Sequence, residues 1–193
     1  MKANTRRLIF FSILMLLVTC CNKNRLEIYE TAPDSILVNK IRKEVFIKLL
    51  VEDDLHPCGT GAQMMDEIKM LYFAFHYYHE INIENARKLI TKAGDSILNK
   101  INGCEKIRPY LVNYPFKPEN VEVAIFLNNP DGSKLPPEKL RAIIMKKGSV
   151  KYENGILDSN GYDAIVCEET YEEALAKLQQ ELKETNSKNS IKI

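Results

Sequence analysis

Leu8 to Val18 is a run of eleven residues that is apolar except at Ser12. After it the pattern becomes periodic. Val38, Ile41, Val45 and Leu49 recur at spacings of three and four and predict a helix over 33–52, with Pro33 in its first turn and Thr31 and Asp34 as a capping box. Residues 53–62, with Pro57, Gly59 and Gly61, read as a loop. In 67–80, Leu71, Phe73, Phe75 and Tyr77 alternate with Tyr72, Ala74, His76 and Tyr78, which predicts a strand buried on both faces. Ile83, Ala86, Ile90, Ala93, Ile97 and Ile101 predict a helix over 83–102, capped by Asn82 and ended by Gly103 in the left-handed conformation. Prolines 109, 115 and 118 make 105–118 extended and irregular.

Val121, Val123, Ile125 and Leu127 alternate as in a strand, and Asn129 to Gly132 signal a turn. Further strands are expected at 140–146 and 149–153. A loop over 154–163 and a brief edge strand at 164–167 follow. Thr170 and Glu173 form a capping box for a helix of about 170–184, and 185–193 reads as a disordered polar tail. These elements predict one α+β domain over 33–184. Its sheet would be antiparallel-rich, of three to five strands, with helices mainly on one face in a ferredoxin-like split β-α-β arrangement.

The N-terminal apolar run is too short to span a bilayer, which needs about 20 apolar residues. With Lys2, Arg6 and Arg7 ahead of it, it matches a secretory signal helix over 1–19. Leu17-Val18-Thr19-Cys20 resembles a bacterial lipobox. That resemblance implies cleavage before Cys20 (Cys21 in the alternate register) and diacylglycerol on its sulfur. Residues 20–32 would then be a lipid-anchored tether. The expected location is exported, on the cell membrane or outer membrane, facing the periplasm or the surface. An uncleaved signal anchor is the competing reading of the same segment.

Removing 1–19 takes away three of 27 basic residues and none of the 26 acidic ones, leaving a net charge of −2. A nucleic-acid partner, which needs a basic face, is not expected. Tryptophan is absent, which excludes a Trp-based sugar or choline platform. Export permits disulfides, and Cys58 and Cys104 flank one strand–helix unit, so they form a candidate disulfide; free, packed thiols are the alternative.

His56, His76 and His79 with Cys58 and Cys104 are the best candidates for metal or thiol chemistry. Their spacing matches no zinc or catalytic-cysteine signature, so no metal, cofactor or catalytic residue is assigned. Arg108, Tyr110, Tyr114 and Phe116 form the candidate interaction surface, because Arg and aromatic side chains dominate interface hot spots. Core packing of the aromatics competes with that reading. Glu168, Glu169, Glu172 and Glu173 are explained by the dipole of the helix they precede.

The segment EKIRPYLVNYPF (105–116), the Val/Ile strand after it, Asp131-Gly132 and the segment EETYEEA (168–174) together resemble a group of exported lipoproteins of host-associated bacteria. The group has no known activity, so the resemblance implies one exported domain and nothing catalytic. The expectation is a membrane-anchored lipoprotein acting as a non-catalytic binding or interaction module, held to the membrane by its lipid, with a protein or small-molecule partner. The alternative is a small thiol- or metal-dependent envelope enzyme using Cys58 with a histidine.

Overall fold

The computed structural model describes residues 32–190. The expected signal helix, the lipidated Cys20 or Cys21 and nearly all of the tether therefore lie outside the described residues. The chain runs α1 (Pro33–Asp53), β1 (His56–Met64), β2 (Ile68–Tyr77), α2 (Ile83–Asn102), two 3-10 turns (Glu105–Tyr110 and Pro118–Asn120), β3 (Val121–Leu127), β4 (Leu140–Lys146), β5 (Ser149–Leu157), β6 (Asp163–Thr170) and α3 (Tyr171–Ser190).

The fold is α+β, as expected. Its sheet has six strands where three to five were expected, laid side by side in chain order. The sheet is mixed, because β2 and β3 are parallel while every other pair is antiparallel. Since β2 and β3 are direct neighbours joined through α2, no strand splits the β-α-β unit, and the ferredoxin-like expectation is corrected.

The extra strand is β1, over residues read as a loop. An edge position explains it. Pro57 lacks an N–H, which an edge strand tolerates, and the β1–β2 register slips between Pro57 and Gly59. The glycines serve close packing. A Cβ at Gly59 would lie 3.3 Å from the Ala74 Cβ, and one at Gly61 3.4 Å from the Tyr72 ring. β5 and β6 also run further than the sequence pattern suggested, shortening the expected loop between them. Helix α3 continues to Ser190, past the expected end at 184.

One sheet face carries the core. Leu71, Phe73 and Phe75 of β2, Val121, Val123 and Ile125 of β3, Ile143 and Met145 of β4, and Val150 and Tyr152 of β5 are all buried. The α1 stripe (Val38, Ile41, Val45, Leu49) and the α2 stripe (Ala86, Ile90, Ala93, Ile97, Ile101) close over them. The helix periodicity and the strand alternation thus meet on one interface. The opposite face is only partly covered, with Tyr72 and His76 half-buried and Phe126 36 % exposed. The expectation of a β2 strand buried on both faces therefore holds on the helix side and, on the other face, only at Ala74.

The caps follow the sequence where it named them. Asn82 Oδ1 accepts from Asn85 N–H at 2.9 Å, and Thr170 and Glu173 exchange hydrogen bonds of 2.8 and 3.1 Å. Gly103 differs, closing α2 with φ −77° rather than in the left-handed region.

Among the buried side chains, Glu169 is the hub of a charged network. It accepts from Arg87 Nε at 2.7 Å, Tyr152 Oη at 2.7 Å and Lys177 Nζ at 2.6 Å. It ties α2, β5 and α3 to the last strand. Among the described residues, no helix is long and apolar enough to cross a membrane.

Candidate functional site

The parallel pair β2–β3 gives the sheet a polarity. Both strands point their carboxyl ends the same way, and the loop leaving β2 turns there into the N-terminus of α2. In open α/β sheets, ligands bind beyond the carboxyl ends of the strands, beside helix N-termini, and this sheet shares with them its parallel pair and the helix start that follows β2. Two features occupy that end.

The first is a histidine cluster. His56 opens β1 and pairs in register with His76 on β2, while His79 lies just past the end of β2. All three histidines of the chain therefore gather at one end of the sheet. Asp54 joins two of them, with Oδ1 3.0 Å from His56 Nε2 and Oδ2 3.0 Å from His79 Nε2. Because a carboxylate accepts, each Nε2 donates to Asp54. These hydrogen bonds, from His79 first and His56 second, hold the Asp54 carboxyl below its ordinary value. Asp54 sits at φ 55°, a left-handed conformation that Asp tolerates better than most residues. His76 differs, for its Nδ1 accepts from the Asn128 amide at 3.0 Å. Tyr78 lies edge-on to His56 at 5.0 Å and stacks with His76 at 6.0 Å.

One carboxylate between two imidazoles is a group that can hold and pass protons, and the expected thiol chemistry would need Cys58 as its nucleophile. Cys58 is two residues from His56, yet no hydrogen bond joins it to any of the three histidines. Burial pushes its thiol above the ordinary value, the reverse of an activated thiolate. Iodoacetamide labelling of Cys58 should therefore rise with pH only in the alkaline range and be insensitive to His56→Ala. Fast labelling near neutral pH that His56→Ala abolished would restore the thiol enzyme. Among the described residues, no group of three or more His, Cys, Asp or Glu side chains is placed to hold a metal ion.

The second feature is a cleft of about 650 Å³ on the other flank of the same loop. Its walls come from the β2–α2 turn (Glu80 to Glu84), the start of β4 (Glu138 to Leu140), Asn154 of β5 and Val166 of β6. Ile81, Ile83, Leu140 and Val166 make it largely apolar. Asn154 is 7 % exposed. Its Oδ1 accepts from Ile156 N–H at 3.1 Å, and its Nδ2 has no hydrogen-bond partner among the described residues. An amide at the wall of a cleft can donate to a ligand acceptor.

The other expected sites fare differently. Cys58 and Cys104 are not paired; they and Cys167 are free thiols. The physical reason is their placement. Cys58 sits beside Tyr72 on the face turned from the helices, whereas Cys104 follows α2 and packs into the helix layer near Leu37 and Ile41. The proposed surface at 108–116 also divides. Phe116 is 2 % exposed and belongs to the core, and Tyr110 packs against it. Only Arg108 and Tyr114 remain outside, and they stack on each other with the guanidinium 4.5 Å from the ring centroid. That correction follows from the hydrophobic demand of the ring in Phe116, which the α2 end covers through Asn102.

Asn154 and Asp54 went unremarked in the sequence. Asn154 fell in the stretch read as a loop over 154–163, and Asp54 in the one read as a loop over 53–62. Asp54 is two residues from His56 but 25 from His79, so only the fold makes it the link between two histidines. No family model, curated protein or solved structure matches the chain.

Proposed function

We propose that this protein is a lipid-anchored envelope protein that works as a non-catalytic binding module, taking a small ligand in the cleft at the N-terminus of α2. The observation that carries the reading is the cleft itself, walled by Ile81, Ile83, Leu140 and Val166 with the Asn154 amide among its lining groups. A volume of about 650 Å³ lies within the range of roughly 300–1,000 Å³ typical of small-molecule sites. The anchoring half of the reading rests on the N-terminal charge, the short apolar run and Cys20. The competing thiol enzyme is disfavoured by the raised pKa of Cys58 and the lack of a bond from it to a histidine.

Two measurements test the two halves. The full-length chain purified from its own membranes should show a mature N-terminal peptide beginning at acylated Cys20, and Cys20→Ala should remove the acyl mass. An intact, unmodified Met1 terminus would overturn the anchor. The same preparation, washed and denatured, should release a low-molecular-weight compound that the Val166→Arg variant does not carry. Val166 is 45 % exposed, so the new side chain fills the cleft without disturbing the core. Equal release from both proteins would overturn the binding site.

A further inference from the structure

The C-terminal end of α1 carries an unusual load of negative charge. Glu52, Asp53 and Asp54 follow one another there, and the last turn holds no basic residue. A helix has partial negative charge at that end, so carboxylates are disfavoured and cations favoured. Asp54 has His56 and His79 as partners. Asp53 is only half satisfied. Its side chain is 9 % exposed, and its Oδ1 accepts from Lys92 Nζ at 2.6 Å. Its Oδ2 is buried with no hydrogen-bond partner among the described residues. A buried carboxylate oxygen left unpaired is costly, so a charged donor that reaches it is held strongly.

Asp53 lines a cleft of about 270 Å³, distinct from the larger one. We propose that this smaller cleft binds one free α-amino acid with an apolar side chain, a second site beyond the cleft of the proposed function.

The lining selects that class. Lys88 and Lys92 stand four residues apart on α2, hence on one face, and both border the cleft with Asp53. A simple amine would meet Asp53 but also two lysines. A simple anion would meet the lysines and leave Asp53 Oδ2 unpaired. A zwitterion answers both. Because Asp53 and Lys92 are 2.6 Å apart, the two charges of the ligand must also be neighbours. The ammonium and carboxylate of an α-amino acid sit on one carbon and meet that demand. The ammonium donates to Asp53 Oδ2, and the carboxylate accepts from Lys92 and Lys88. Lys92 is 51 % exposed and Lys88 47 %, so both can turn to admit the ligand. The ion pair of Lys88 with Glu84 does not prevent this, for a pair so exposed is weak. Tyr77, Ile81 and Leu89 complete the wall and give the side chain an apolar seat. The volume lies just under the range of roughly 300–1,000 Å³ for ordinary small-molecule clefts, which suits a single amino acid.

The test is calorimetric titration of the full-length chain with L-leucine, N-acetyl-L-leucine and L-leucine methyl ester. L-leucine should bind. N-acetylation removes the ammonium and should weaken binding at least about tenfold. Esterification removes the carboxylate charge and should weaken it by a smaller factor, because the lysines are exposed. Asp53→Asn should abolish binding while leaving the melting temperature near that of the wild type, since Asn keeps an acceptor for Lys92 and removes a charge from the negative end of α1. Val166→Arg, which fills the larger cleft, should leave the affinity for L-leucine unchanged. Equal affinity for the N-acetyl form, or undiminished binding by Asp53→Asn, would overturn the proposal. So would no binding of L-leucine at up to about 1 mM, the result expected if water alone satisfies Asp53 Oδ2. Loss of leucine binding in Val166→Arg would put the amino acid in the larger cleft, overturning this site while leaving the proposed function standing. Release of the co-purifying compound tests the larger cleft alone, so the two readings fail separately.

Discussion

Replacing Glu169 by Ala should destabilise the domain by about 3–5 kcal/mol, the usual loss when one partner of a buried ion pair is removed. The Glu169 side chain is 2 % exposed and that of Arg87 11 %. Without the carboxylate, the Arg87 guanidinium stays buried with its main counter-ion gone, and Tyr152 Oη loses its acceptor. For a domain of this size the melting temperature should fall by on the order of 10 °C. Thermal and urea denaturation followed by circular dichroism would measure it. A fall of only a degree or two would show that the network is effectively solvated. Glu169→Gln keeps the shape and an acceptor and should lose less.

The same group has a pH signature. Burial pushes the Glu169 carboxyl up, but the hydrogen bonds from Arg87, Lys177 and Tyr152 outweigh burial and hold it below its ordinary value. A carboxylate depressed in the folded state contributes stability that is fully present above the unfolded glutamate value of about 4.3. That contribution is lost as pH falls through the lower folded value. The wild type should therefore lose its advantage over Glu169→Gln progressively below about pH 4. An advantage independent of pH in that range would argue against the ionised hub.

The second large effect is expected at Gly94, within α2. Ala is the better helix former by about 1 kcal/mol, so propensity alone predicts stabilisation by Gly94→Ala. The packing predicts the reverse. A Cβ there would lie 2.7 Å from Tyr171 Oη and 2.9 and 3.1 Å from two ring carbons. Tyr171 is 2 % exposed, and its hydroxyl donates toward Thr91 O at 3.0 Å and Asp95 Oδ1 at 2.9 Å. The ring cannot retreat without giving up those bonds. Gly94→Ala should therefore destabilise by about 1–3 kcal/mol, the range for overpacking. A double-mutant cycle decides the cause. In a Tyr171→Ala background, itself destabilised by about 3–5 kcal/mol, Gly94→Ala should become stabilising. If it destabilises equally in both backgrounds, the contact with Tyr171 is not the reason.

These two positions show where sequence reading stops. Gly94 read as a weak point in a helix, judged by local propensity, while its purpose is to admit a ring from a helix 77 residues later. Glu169 read as one of four acids favoured by a helix dipole. For Glu173 that local account suffices, because its partner Thr170 is three residues away. For Glu169 it fails, because Arg87 is 82 residues away. The same division runs through the candidate site. Asn82 was legible as a cap, but Asn154 was not legible as a residue of the cleft wall. The histidines were each visible, but Asp54 was not visible as the carboxylate between two of them. Cys58 and Cys104 looked pairable along the chain, and the sheet holds them on different faces.

What the sequence by itself determined was every feature carried by neighbours in the chain. The apolar periods of 3.6 and 2 placed α1, α2, β2, β3 and the inward faces they bury, because burial of those stripes is the main stabilising term and is written in spacing. The capping pairs placed helix starts. Only the tertiary structure decided the rest. β1 is a strand because β2 offers it a free ladder, which its Pro57, Gly59 and Gly61 tolerate at an edge. β2 and β3 lie parallel because α2 carries the chain back between them, and that choice puts the β2–α2 turn, the histidines and the cleft at one end of the sheet. Hydrogen bonds and charges act through space at about 3 Å, so the residues that complete a site are chosen by the fold and leave no period in the chain.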